Sequence, residues 1–385
     1  MIRREALERR RSSGGVPVVP PAGAPQSIAV LRALQLGDTL CAVPALRALR
    51  SAYPHARLTL IGLPGARELA ARFSCYVDDF IEFPGFPGLP ERGCDPRAFT
   101  AFLAEAQDRR FDLALQLHGD GRVTNAVTAL LGARHCAGFF PRGGTCPDPL
   151  RFLPWEPREH EVLRPLRLLE RLGVAGAGIE LEFPIDEVDR GELAALAQAF
   201  RFRPSQCVCV HPGAQLASRR WPPERFARVA DALAVEGHTV LLTGTAGEAA
   251  ITCAVAGAMR SRAIDLTGRT SLGSLAALVA KARLVVCNDT GISHVAAATK
   301  TPSVVVSCGA DTARWAPLDP SRHRVLAYEL VCRPCGYTAC PYGHECALGV
   351  DPEAVIAEAR ALLERYPTGS ARAHARPAAA AVARS

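Results

Sequence analysis

The residues best placed to do chemistry stand at the ends of apolar runs. Leu284-Val285-Val286-Cys287 passes directly into Asn288-Asp289-Thr290-Gly291, and Ile292–Thr299 then has the composition of a helix. A strand that feeds Asp, Thr and Gly into a helix start can hold a sugar and a phosphate together. The carboxylate accepts hydrogen bonds from hydroxyls, while the Thr hydroxyl and free backbone N–H groups meet an anion at the positive helix end. His294, one turn further on, can face the same ligand. An N-capped helix with a buried histidine fits this stretch equally well.

Asp38 has a related setting. Residues 26–34, QSIAVLRAL, read as a buried strand that ends in Gln35-Leu36-Gly37-Asp38-Thr39, before a helical pattern over Leu40–Ala52. Across a cleft from Asp289, its carboxylate could take the proton from an attacking hydroxyl. Taken alone, it reads more simply as an N-cap for that helix. Arg219-Arg220-Trp221-Pro222 precedes another helix, and two guanidiniums there could clamp a diphosphate bidentately. A solvated surface pair beside a packing tryptophan is the commoner outcome. Glu248 falls early in a helix, where the dipole favours a carboxylate in any case, and it could equally accept hydrogen bonds from a ribose.

The elements that must position these residues alternate strand and helix. Further strands are expected over Arg57–Gly62, Asp79–Phe83, Phe111–Leu117 and residues 134–139, with loops at Pro84–Pro96 and Gly143–Pro157. Helices are expected over His160–Leu172 and Val188–Phe200. The second half repeats the scheme, with strands at Gln206–Val210, His238–Thr243, Ala263–Leu266, Leu284–Cys287 and Ser303–Ser307, and a last helix from Asp351-Pro352 to Tyr366. This is the pattern of two doubly wound α/β units in tandem, and 385 residues suits two domains. In such sheets ligands lie outside the carboxyl ends of the strands, which is where all the candidate residues fall.

Several function classes are disfavoured. No GK[ST] phosphate loop and no G-x-G-x-x-G after a strand occur, which argues against a kinase, an ATPase or a standard dinucleotide oxidoreductase. No segment approaches the roughly 18 apolar residues of a spanning helix, and the N-terminus lacks the apolar core of a secretion signal. The net charge of +7 resides mostly in two arms rich in Pro, Gly, Ala and Ser, residues 1–25 and 367–385, which are expected to be disordered. An anionic membrane surface is one candidate contact for these arms, though solubilising ends are the plainer reading. No interleaved aromatics accompany the charge, so nucleic acid is not an expected partner. Fourteen cysteines without a signal peptide fit a reducing compartment. Four of them, Cys332, Cys335, Cys340 and Cys346, crowd into CRPCGYTACPYGHEC, where structural Zn²⁺ or an iron–sulfur cluster competes with reduced thiols in a tight loop. The spacings are tighter than most zinc ribbons, and reduced thiols are favoured.

Four segments in order, LRALQLGDTLCAVPALRAL, HPGAQLASRRWPPERFARVADAL, VLLTGTAGEAAI and VVCNDTGISHVAAATKTPSVVV, together resemble glycosyltransferase family 9, the bacterial heptosyltransferases of lipopolysaccharide core assembly. The resemblance covers about residues 27–365. It implies the GT-B fold: two facing Rossmann-like domains, here residues 26–185 for the acceptor and 186–350 for the nucleotide sugar, followed by a helix over 351–366. It also implies an inverting, metal-independent transfer without cofactor, from a nucleotide diphosphate sugar such as ADP-heptose to a hydroxyl of a glycan or glycolipid. The enzyme would then be cytoplasmic, with a peripheral station at the inner face of the membrane as a further expectation. Carried over by position, Asp38 resembles the catalytic base. Arg219 or Arg220 resembles the phosphate-binding residue, usually Lys, and Glu248 the carboxylate on the nucleoside. Asp289 resembles the residue on the sugar hydroxyls, with Thr290, Gly291 and His294 around the diphosphate. Arg for Lys keeps the charge but changes the geometry. A nucleotide-sugar epimerase on the same architecture, and an idle glycan- or nucleotide-binding module, are the competing readings.

Overall fold

Residues 23–367 are described by a computed structural model; the expected disordered arms lie almost wholly outside them. The first sheet is formed by β1 (Ser27–Leu31), β2 (Arg57–Gly62), β3 (Asp79–Glu82), β4 (Leu113–Gln116), β5 (His135–Phe140) and β6 (Phe152–Pro154) in the order β3-β2-β1-β4-β5-β6. The second is formed by β7 (Cys207–His211), β8 (Thr239–Leu242), β9 (Ile264–Asp265), β10 (Leu284–Asn288), β11 (Ser303–Ser307) and β12 (His323–Ala327) in the order β12-β11-β10-β7-β8-β9. Every pairing is parallel. Counted within its own half, each sheet has the same order. Each therefore has one switch point, between β1 and β4 in the first and between β7 and β10 in the second.

Burial on both faces explains why the central strands are continuous apolar runs. In β1, Ile28 and Val30 pack on one face, and Ala29 and Leu31 on the other. In β10, Leu284 and Val286 face the core shared with the helix Pro352–Arg365, while Val285 and Cys287 face the opposite core. That opposite core crosses between the halves. Leu40, Val43, Leu69 and Phe73 of the first half join Leu193, Leu278, Ile292 and Val295 in one buried cluster. The halves are thus seamed by apolar packing beneath their strand ends.

Polar contacts reinforce the seam. Arg72 grips Asp189 with both Nη atoms, at 2.6 and 2.9 Å. Any side chain at Gly273 would run into that pair, so the helix Leu272–Lys281 approaches by virtue of its glycine.

The structure departs from the sequence expectations in several places. The first helix spans Leu36–Ala52, starting four residues before the expected Leu40, so Asp38 is its third residue and not its N-cap. Pro44 consequently lies mid-helix, inside the buried run Thr39–Leu46, where packing offsets its missing N–H. The loop expected over Gly143–Pro157 contains the short edge strand β6, and β12 adds an edge strand that was not anticipated. Pro154 closing β6 is compatible only with such an edge.

Candidate functional site

The carboxyl ends of β1, β7 and β10 converge on one cleft of about 220 Å³ between the two halves, lined among others by Gly37, Asp38, Arg219, Asp289, Thr290, Gly291, His294 and Trp315. The cleft sits at both switch points at once. Gly37 and Gly291 open facing helices, Leu36–Ala52 and Gly291–Ala298, and their small size lets the two N-termini meet. A Cβ at position 291 would stand 3.1 Å from Leu36 Cδ2. Two positive helix ends therefore point into a narrow space.

Asp38 accepts the backbone N–H of Gln35 at 3.0 Å, which fixes its carboxylate at the helix start. Its pKa is raised above the ordinary aspartate value, chiefly by burial; Arg32 pulls it down, Glu161 up, and the Gln35 bond and Arg314 down. Asp289 is raised for the same first reason, opposed by Arg219, by the Ser307 hydroxyl donating at 3.4 Å and by Arg333. The charge of Asp38 pushes Asp289 up further, so the two carboxylates sense each other across the cleft.

The two adjacent arginines point in different directions. Arg219 lines the cleft and its buried Nε has no partner among the described residues, whereas Arg220 is turned back, its Nε donating to the Ala214 carbonyl at 2.8 Å. An unpaired buried donor beside Asp289 is a place for an anionic oxygen. Glu248 lies in the turn Ala246–Glu248, before the helix Ala249–Ala258. Its Oε2 accepts from Thr245 N at 2.7 Å and Thr245 Oγ1 at 2.8 Å, and its carboxylate fills the space over Gly213. It stands at the ends of β7 and β8, beside the cleft and not in its lining. Thr290 is the residue before the Gly291 helix and spends no side-chain bond on capping it.

His294 satisfies both readings of its stretch. It is buried, with Nδ1 3.6 Å from Cys41 Sγ and its ring 6.3 Å from that of Trp315, yet it also borders the cleft. Burial, reinforced by the neighbouring His160 and by Arg32, lowers its pKa to about 4, so it is a neutral imidazole at pH 7. Asn288, between the apolar run and Asp289, is structural. Its Nδ2 donates to Pro212 O at 2.7 Å and its Oδ1 accepts Trp221 N at 3.0 Å, clamping the ends of β7 and β10 together.

Arg32, Glu161, Arg314 and Trp315 escaped the sequence reading. Arg32, at the end of β1, donates through Nε to the Asp38 carbonyl at 2.6 Å. Glu161 is fully buried against Arg32, Arg164 and Arg314. Trp315 follows Arg314 on the short helix Thr312–Trp315 and covers one end of the cleft. An arginine inside the otherwise apolar QSIAVLRAL was a signal of a buried ion partner.

The cysteine-rich segment packs beside this site. Arg333 Nη2 donates to Ser307 Oγ at 3.2 Å, and Cys335 N donates to Gly309 O at 2.7 Å, bracing the loop behind Asp289. Cys332 is exposed, Cys335 and Cys340 are half-buried and Cys346 is buried, and all are free thiols. Among the described residues no group of three or more His, Cys, Asp or Glu side chains is arranged to hold a metal ion. Nor is any described helix long and apolar enough to cross a membrane.

Two Rossmann-like domains facing each other across a cleft at their strand ends constitute the GT-B architecture of nucleotide-sugar glycosyltransferases. The chain belongs to glycosyltransferase family 9 (heptosyltransferase), whose model matches residues 100–345. It is 27% identical over 348 residues to lipopolysaccharide heptosyltransferase 2 of Escherichia coli K12, a match covering 85% of this chain and 96% of that one. Among solved structures, a family 9 glycosyltransferase from Veillonella parvula superposes with a TM-score of 0.74 at 22% identity, covering 89% of this chain and 98% of that one. The ADP-heptose lipopolysaccharide heptosyltransferase II of E. coli superposes at 0.67, also at 22% identity, with coverages of 88% and 99%. The protein is thus a glycosyltransferase of the lipopolysaccharide heptosyltransferase type.

Proposed function

We propose that the enzyme transfers a heptose from ADP-heptose to a hydroxyl of a lipopolysaccharide-core acceptor, by a single inverting displacement. The observation that carries this reading is the convergence of Asp38, Arg219 and the Asp289–Gly291 turn on one cleft between the domains. In it, Asp38 takes the proton of the attacking acceptor hydroxyl as that oxygen closes on the anomeric carbon. A carboxylate whose pKa is raised by burial is the stronger base once ionised, which suits the role.

On the donor side, Asp289 accepts hydrogen bonds from the sugar hydroxyls. The unpaired Arg219 Nε and the N–H groups at Gly291 take up the negative charge that develops on the departing ADP. Fixed guanidinium and helix-end charges can carry this stabilisation without a metal ion, so we assign the reaction as metal-independent. Glu248, at the edge of the same strand ends, is assigned to the nucleoside, exchanging its Thr245 bonds for ribose hydroxyls. Because the donor is an intracellular metabolite class and the acceptor a glycolipid, we assign the reaction to the cytoplasmic face of the membrane.

The test is a thermal-shift series with ADP-, GDP-, UDP- and CMP-linked sugars. ADP-heptose should raise Tm by mass action with saturable dependence, and the others should not. Stabilisation by a different nucleotide sugar, with none by ADP-heptose, would overturn the donor assignment.

A further inference from the structure

Glu161 is a carboxylate withdrawn from water, its side chain 2% exposed, yet it belongs to no apolar core and touches no lining residue of the cleft except through others. Its Oε1 accepts Arg164 Nη1 at 2.8 Å and Arg314 Nε at 2.6 Å, and its Oε2 accepts Arg32 Nη2 at 3.3 Å. Arg32 and Arg164 come from the first domain; Arg314 comes from the second. The crossing is doubled on the backbone, where Glu161 N donates to Arg314 O at 3.0 Å, and it continues at His160 Nε2, 2.7 Å from Ala316 O. Arg314 itself lies over the rings of Trp155 and Trp315, one from each domain, at 5.4 and 4.8 Å.

The network does not stop at Glu161. Arg32, held by Glu161, places its Nε on the Asp38 carbonyl at 2.6 Å and its Nη1 on Leu117 O at 2.7 Å. One path of contacts, buried where Glu161 meets Arg32, therefore runs from a second-domain guanidinium to the backbone of the proposed base. A cleft that admits a nucleotide sugar must open and close. Parting of the domains would remove Arg314 from Glu161 and leave Arg32 and Arg164 with it, because only Arg314 is carried by the other domain.

We propose that Arg314 is a positioning residue for the transfer: its docking on Glu161 when the domains close brings the cationic charge that readies Asp38 as a base. The inference rests on Asp38 being that base. The charged and titratable groups facing Asp38 are Arg32, Glu161 and Arg314 on the first-domain side and seam, and Asp289 with Arg219 and the neutral His294 on the second. Of these cations, Arg32 is fixed on Asp38's own domain and Arg219 is the one expected to be occupied by the donor phosphates. Arg314 is left as the cation whose distance from Asp38 reports closure alone. A cation arriving near a half-buried carboxylate favours its charged form, so docking makes Asp38 a carboxylate at the moment the site is assembled.

The experiment compares wild type with Arg314→Gln and Arg314→Lys in a transfer assay with ADP-heptose and a core acceptor, recording kcat against pH from about 5 to 9. Arg314 is partly exposed, which favours folding of both variants. Arg314→Gln should lower kcat about tenfold or more and move the acidic limb of the profile to higher pH, since loss of the cation makes Asp38 harder to ionise. Arg314→Lys should restore the position of the limb, with ADP affinity in both variants within about threefold of wild type. An acidic limb in Arg314→Gln that superimposes on the wild-type limb, or the absence of a limb in both, overturns the proposal. Asp38→Asn run alongside separates the two ideas: if that variant retains turnover, the underlying assignment of the base fails, whereas if it is dead and the Arg314 limb does not move, only the present inference fails.

Discussion

Gly37 lies so close to His294 that a Cβ at position 37 would stand 2.6 Å from the imidazole Cδ2. The two residues belong to different domains and to the first turns of the two helices that face each other across the cleft. Gly37 is helical, so alanine there would favour its own helix by about 1 kcal/mol. The packed structure opposes that gain, because the added methyl overpacks the contact with His294, at a cost of typically about 1–3 kcal/mol. Gly37→Ala should therefore lower Tm modestly or leave it level, and lower kcat/KM by about tenfold. In small-angle scattering, its radius of gyration with ADP bound should exceed that of wild type. An unaltered rate at unaltered Tm would mean that this contact does not govern closure.

Arg219 and Arg220 are adjacent in sequence but point to different work. Removing a charge-assisted hydrogen bond to phosphate costs about 1.5–3 kcal/mol, or roughly 10- to 150-fold in affinity. Calorimetric titration with ADP should show a loss of that size for Arg219→Ala. Arg220→Ala, whose native Nε is committed to Ala214 O, should bind ADP within about threefold of wild type. The reverse ranking would mean that the loop rearranges on binding.

Two buried histidines make stability depend on pH. His294 and His323 are both held down to about 4, in each case chiefly by burial, and His323 Nδ1 sits 2.8 Å from Ser303 Oγ. Between about pH 6.5 and 4 the unfolded chain binds protons that the native chain refuses, so their contribution is complete above pH 6.5 and is lost as pH falls towards 4. The shift is worth about 3 kcal/mol for each. Asp38 and Asp289, raised by burial, act in the opposite sense above the ordinary aspartate value and soften the decline. Thermal melts should show Tm falling from pH 7 to pH 5, and His323→Gln should flatten that fall. Equal slopes in the two proteins would contradict the assignment.

The strand ends were legible because the central strands are buried on both faces and so stand out as Val-, Leu- and Ile-rich runs. The residues just beyond them, Asp38, Asp289, Thr290 and Gly291, could then be named as candidates without coordinates, with Arg219 and Arg220 as alternatives in the loop after β7. What escaped was set by distance in sequence. β12, written HRVLA, looks polar and becomes a strand only by pairing with β11. The helix Pro96–Asp108 has a clear start, with Asp95 accepting Arg97 N at 2.9 Å, but follows a loop so dense in Gly and Pro that its signal was masked. Which of two arginines faces the cleft depended on one backbone carbonyl, and no periodicity reports that. Glu161 reads as an ordinary charged residue in EPREHEV until Arg32 and Arg314 arrive, the latter 153 positions away.

Asp38 and Asp289 face one cleft from opposite domains, and the proposed transfer requires the first of them to act as the base. The direct test is Asp38→Asn, measured for transfer with ADP-heptose and a core acceptor and for ADP-heptose affinity by titration. A general base contributes about 10²- to 10⁴-fold, so transfer should fall by at least that lower figure while donor affinity stays within about threefold. Turnover close to that of wild type in this variant would contradict the account.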